Sequence, residues 1–355
     1  MKREYFIGLD THGTFCEMAV VTGKGNLVRR GRCDTTIEAL RKLIAPVPAP
    51  RHVVMEEGPL ANWLYRNLKP HVTSLTVSDP RRNRLICCEG DKDDAVDALQ
   101  LAQLLRGGGL LKPVHQTETL SESVFKQLVG QYHRRVRRRV AAGLQITALL
   151  KQHGVIARAK QFSRPEDQAN LLKLLPANQL LAEMILTSCA EHEQLQAAEE
   201  VWYRRLVMWA KKDATVVRFT GVPGISWVRA STLRVYLDTP WRFRSKKALW
   251  KYLGIGLERR TSGNGPELLG VPKRTHRLLK STILGAAQTA ATRGENPFAV
   301  QYRRWIDNGL SLRLAKRNVA RSLSSTLWGM WKQDADYEPE WVGRNGSAAA
   351  ASESY

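Results

Sequence analysis

Over roughly the first 110 residues, short apolar runs alternate with segments of helical spacing. "YFIGLD" and "CEMAVVT" read as strands joined by a turn, and "GKGN" turns the chain into a third strand, "LVRRGRCD", which predicts an antiparallel meander. "TIEALRKLI" then has helical period, "RHVVMEE" reads as a strand, "ANWLYRNLK" as a helix and "VTSLTVSD" as a strand. "DKDDAVDALQLAQLLR" is a patterned helix that "GGG" closes. The predicted order is β-β-β-α-β-α-β-α.

That order is the order of an RNase H-like (RuvC-like) α/β domain, expected over residues 1–112; fold alone does not give function. From 113 to 212 the pattern turns helical, with two long periodic segments without internal Pro that predict a helical hairpin or coiled coil. A mostly α-helical unit follows over 213–335, opening on "TGVPGIS", a Pro-Gly turn into a helix. Such a turn offers backbone N–H groups to phosphate, though alone it is weak evidence. The tail, 336–355, ends in the low-complexity "GSAAAASESY" and is expected to be disordered.

Charge narrows the partner. The 355-residue chain carries 55 Lys plus Arg against 33 Asp plus Glu, a formal net charge of +22, which favours a polyanion and, above lipid, a nucleic acid. Arg134, Arg135, Arg137, Arg138 and Arg139 surround much of one predicted helix and are candidate nucleic-acid contacts; a solvated face is the other reading. Five cysteines without a C-x-x-C pair suit free thiols in a reducing compartment and no zinc site. No signal peptide or spanning segment is evident, so a cytoplasmic protein with no membrane partner is expected.

The chemistry lies in acids. Asp10 ends the first strand, Glu56 sits near the end of the fourth, and Asp94 and Asp97 are three apart on one helix. In an RNase H-like sheet the first and fourth strands are neighbours and this helix packs beside them, so the carboxylates are expected to converge on Mg2+ or Mn2+. Singly, each has a plainer reading: a turn cap for Asp10, favourable helix-dipole acids for Asp94 and Asp97, and competition from Glu57 for Glu56. A strand-end Asp also opens the phosphate loop of actin-like ATPases. Here His12 occupies the first glycine position of that loop, and the later Gly-rich stretches lack its second aspartate.

"IGLDTH", "MEEGP" followed by "LYR", and "KDDAVDA" resemble the DEDD domain of IS110/IS1111-type (Piv-like) transposases. "GVPGIS", "FRSKKALWKYLGIGLERRTSG" and "GVPKRTHRLLK" resemble the family's C-terminal domain, with Pro272 and Thr275 departing from its usual Thr and Gly. The resemblance covers residues 5 to 330 or so and implies that Asp10, Glu56, Asp94 and Asp97 are the catalytic, metal-binding acids. It further implies that Ser262, in "RRTSGNG", is the nucleophile, flanked by Arg259, Arg260, Lys273 and Arg274 as phosphate or DNA-backbone contacts. It implies a DNA recombinase that passes through a serine–DNA link, a non-coding guide (bridge) RNA, donor and target DNA, and a homo-dimer or tetramer. The alternatives are a metal nuclease or resolvase using water, and a non-catalytic nucleic-acid-binding protein.

Overall fold

The computed structural model describes residues 4–83, 94–108, 111–260, 268–270, 275–340 and 342. Its internal contacts divide the chain into two compact units, Met1–Ser123 and Val124–Tyr355.

The first unit is a five-stranded sheet flanked by helices. Strands β1 (Tyr5–Thr11), β2 (Phe15–Thr22) and β3 (Leu27–Asp34) form the antiparallel meander, and β4 (Arg51–Glu56) and β5 (Ser74–Ser78) add in parallel, giving the order β3-β2-β1-β4-β5. Between them lie α1 (Ile37–Ile44) and α2 (Ala61–Leu68); after β5 come the one-turn α3 (Pro80–Asn83) and α4 (Asp94–Arg106). This is the expected RuvC-like order.

Alternation along the strands sorts side chains between two faces. Ile7, Leu9, Met18, Val20, Val53 and Met55 point one way and bury against Leu40 and Ile44 of α1 and Leu64 and Leu68 of α2. Each such side chain, fully buried, contributes about 1.5–3 kcal/mol. The opposite face carries Gly8, Ala19 and Val54 and receives α4, whose Ala98 and Ala102 are wholly buried. Thr36 caps α1 by accepting from the Ala39 N–H. The Arg51 guanidinium ties the loop after α1 to the turn before β5, donating to the carbonyls of Ile44, Ala45, Val47 and His71.

Among its described residues the second unit is helical apart from one small hairpin. Helices α5 (Leu120–Gln152) and α7 (Gln179–Ala210) are its long arms, with α6 (Pro165–Lys173) between them. Their pairings run in opposite directions: Arg139 meets Glu199, Gly143 faces His192, and Ile146 and Leu150 share a small core with Leu181, Ile185 and Cys189. This is the antiparallel, coiled-coil-like hairpin that the apolar period predicts.

The base of the hairpin, through Val129, Leu206 and Ala210, is built into a larger core. That core is made by α8 (Ala214–Thr220), α9 (Trp227–Leu237), α10 (Lys246–Tyr252), α11 (Arg277–Thr292), α12 (Pro297–Asp307) and α13 (Leu312–Gln333). Strands β6 (Glu258–Arg260) and β7 (Leu268–Gly270) pair antiparallel between α10 and α11. The "GVPGIS" turn has Gly224 at φ +83°, where a Cβ would stand 2.4 Å from the Ala286 carbonyl oxygen, so it seats α9 tightly against α11. Ser226 caps α9 by accepting from the Arg229 N–H.

Among the described residues no helix is long and apolar enough to cross a membrane. Cys16, Cys33 and Cys189 are free thiols; Cys87 and Cys88, and the tail from 343 onward, lie outside the described residues.

Candidate metal centre

Asp10 follows Leu9 in β1, and Leu9 pairs with Met55 in β4. Asp10 and Glu56 are therefore next to each other at the carboxyl ends of adjacent parallel strands, on the same face as Gly8. A Cβ on Gly8 would fall 2.0 Å from the Ala98 carbonyl oxygen and 2.7 Å from the Ala102 nitrogen, so the missing side chain is what lets α4 lie directly on β1. One turn before Ala98, α4 begins at Asp94, and its first turn holds both Asp94 and Asp97. Acids there are favoured by the helix dipole. The close crossing of α4 over β1 carries them to the strand end where Asp10 and Glu56 sit.

His12 completes the cluster. Its Nε2 lies 2.8 Å from Asp10 Oδ2 and 3.4 Å from Asp94 Oδ1, and one ligand atom from each of the three falls within 4.8 Å of the others. His12 is the residue that sequence reasoning missed: it served there only as a misfit to a phosphate loop. Its signal was its spacing, two residues beyond Asp10 and just past the end of β1 at Thr11, where the chain still keeps the strand's two-residue alternation.

The electrostatics bind Asp94 and Asp97 to the same site. The Asp10 carboxyl is held above its usual range, first by burial and further by the negative charge of Asp94 and Asp97, while the His12 hydrogen bond and charge pull it back. Crowded, half-buried carboxylates with one imidazole are a donor set that suits a divalent cation. Glu57, the neighbour of Glu56, is exposed, and its carboxylate accepts from Gln116 Nε2 at 2.5 Å.

The five arginines of α5 divide. Arg139 donates to Glu199 across the hairpin at 2.6 Å. Arg135 lies over the Trp202 ring at 3.9 Å and donates to Gln131. Arg134, Arg137 and Arg138 are exposed. Arg259 and Arg260 are on β6, with only their backbone described; Ser262, Lys273 and Arg274 lie outside the described residues.

Residues 7–155 match the family model of the DEDD-type IS110 transposase, and residues 217–303 match that of the transposase IS116/IS110/IS902 family. The chain is 23% identical over 239 residues to the transposase for insertion sequence element IS1111A of Coxiella burnetii, covering 66% of this chain and 65% of that relative. It is 24% identical over 295 residues to the transposase y4qE of Sinorhizobium fredii, covering 81% of this chain and 72% of the relative. It is also 24% identical over 265 residues to a family 20 transposase of Pseudomonas aeruginosa, covering 71% and 75%.

Proposed function

The chain belongs to the IS110 family of transposases, and from that premise we propose that it is a DNA recombinase that cuts and rejoins the strands of an insertion element. The observation that carries the reading is the meeting of Asp10, His12 and Asp94 at one end of a RuvC-like sheet, with Glu56 and Asp97 beside them.

In this proposal Asp10, Glu56, Asp94 and Asp97 would hold Mg2+ or Mn2+, which once bound would supply charge stabilisation for the oxygens that attack and leave phosphorus. His12 donates to the Asp10 carboxylate and fixes its orientation. The Ser262 hydroxyl gives its proton to solvent and attacks the scissile phosphorus, and the P–O bond to the leaving strand breaks as that strand's oxygen takes up a proton from solvent. The phosphoserine ester keeps the bond energy, so a hydroxyl of the recipient strand displaces serine without ATP. Arg259, Arg260, Lys273 and Arg274 contact the DNA backbone. Arg134, Arg137 and Arg138 contact a guide RNA that specifies donor and target DNA. Exchange between two duplexes calls for a dimer or tetramer.

The test is covalent trapping. Full-length protein, Mg2+, the element's RNA and end-labelled DNA are mixed, denatured and resolved beside Ser262→Ala and Asp10→Asn. The proposal expects a protein–DNA adduct in the parent and in neither variant. Cut DNA without adduct, still produced by Ser262→Ala, makes the protein a water-using metal nuclease. Full DNA binding with no cutting in any of the three makes it a non-catalytic binder.

A further inference from the structure

Across the antiparallel part of the sheet, Asp10 pairs with Glu17 and Glu17 pairs with Arg32, so these three form one row on the face that receives α4. A second connection runs along the same face. The Arg32 guanidinium carbon lies 3.8 Å from the centre of the Phe15 ring, and the Phe15 and His12 rings stack at 4.5 Å with planes 26° apart. The His12 imidazole in turn meets Asp10 at 2.8 Å. A continuous column of planar groups thus links a cation on the edge strand to the acidic cluster.

Arg32 is placed to meet something outside the protein. Its side chain is 61% exposed, and Glu17 Oε1 stands 3.5 Å from one of its nitrogens. A guanidinium has five N–H donors in a rigid fork, so most of that fork faces solvent. Stacking on Phe15 fixes the fork before any ligand arrives, which lowers the ordering cost of binding. Arg30, exposed and on the same face two residues earlier, adds a second cation.

The row sets the distance. Two strand spacings separate Arg32 from Asp10, about 10 Å. A phosphodiester strand running to the acids is repelled by them wherever a cation does not balance the charge. A guanidinium on the same face offsets that repulsion one or two phosphates away and fits a phosphate through paired N–H donors. We propose that Arg32, held on Phe15, is a DNA phosphate-binding residue that seats the strand flanking the scissile phosphate. The inference rests on the acidic cluster being the cleavage site, as proposed above, but it concerns binding and is read separately.

The experiment uses full-length protein carrying Asp10→Asn, so that DNA is bound and left uncut, and a fluorescent random-sequence duplex as probe. Arg32→Ala is expected to weaken binding several-fold and to reduce the slope of log affinity against log salt by about one unit, one phosphate contact's worth. Arg32→Lys keeps the slope. Glu17→Gln, which breaks the same ion pair but leaves the cation, does not weaken binding; nor does Arg41→Ala on the exposed side of α1. The proposal is overturned by an unchanged slope in Arg32→Ala with its melting temperature retained, by a loss in Glu17→Gln equal to that in Arg32→Ala, or by a loss seen with single-stranded RNA and not with DNA. Failure of the cleavage reading looks different: it appears as adduct or cut DNA persisting in Asp10→Asn, whatever Arg32 does to affinity.

Discussion

Gly8 and Ala98 touch where strand β1 meets helix α4, with room for no more than a hydrogen between them: a Cβ on Gly8 would come 2.0 Å from the Ala98 oxygen. That contact sets the depth at which α4 lies on the sheet and hence the distance of Asp94 from Asp10 and His12. The obstacle is backbone, which cannot rotate aside. Gly8→Ala is expected to displace the helix at a cost of about 1–3 kcal/mol. In denaturant melts the midpoint falls, and in calorimetry Mn2+ affinity falls with it. A variant with normal stability and normal Mn2+ binding would show that the helix depth does not govern the site.

Asp10 itself is expected to oppose folding in metal-free protein. Its folded carboxyl is raised, by burial first and by Asp94 and Asp97 after it, against the opposing pull of His12. A raised carboxyl binds its proton more tightly when folded, so its contribution is present below the unfolded carboxylate range and is lost as pH rises through the folded value. Metal-free Asp10→Asn should therefore melt higher than the parent at neutral pH, and the gap should close in acid. Mn2+ should reverse the order by stabilising the parent and not the variant. Differential scanning calorimetry at two pH values, with and without Mn2+, decides it.

His133 makes a pH prediction elsewhere. Burial, and secondarily Arg137, pushes its pKa down to about 4. The Thr232 hydroxyl donates to the Val228 carbonyl at 2.6 Å, so it accepts from His133 Nε2 at 2.8 Å, and the ring is neutral with its proton on Nε2. A depressed histidine contributes stability that is present above its unfolded value, near 6.5, and is lost as pH falls toward about 4. The loss in acid reaches about 3 kcal/mol at 1.36 kcal/mol per pH unit. His133→Gln should resist acid unfolding better than the parent; an unchanged acid midpoint would show that the imidazole does not carry the transition.

The arginines of α5 should separate by experiment as they do by position. Arg139, half-buried against Glu199, is expected to cost about 1–2 kcal/mol when replaced by Ala, between the exposed and fully buried limits for ion pairs. Arg134, Arg137 and Arg138 are exposed, and their joint replacement by Gln should leave the melting temperature within a degree or so while weakening RNA binding and flattening its salt dependence. Melting curves and filter binding on the same preparations test both halves. Equal RNA affinity in parent and triple variant would remove these residues from the nucleic-acid surface.

The order of strands and helices along the chain, the two long helices and the positions of the acids could all be read from the sequence. This is because strand alternation and helical period are local properties, and apolar runs such as Phe6 to Leu9 can be buried in few ways. The chain ends of β1 and β4 and the start of α4 were legible as carrying Asp10, Glu56, Asp94 and Asp97. The role of His12 was not, because a two-residue spacing does not say what crosses above it; the helix seated on Gly8 does. Nor does a run such as "HRRVRRRV" show which of its arginines a partner helix will use. Only the tertiary structure assigns Arg135 to Trp202 and Arg139 to Glu199, and lines up Arg32, Phe15 and His12, because those contacts join residues brought together by packing rather than by the chain.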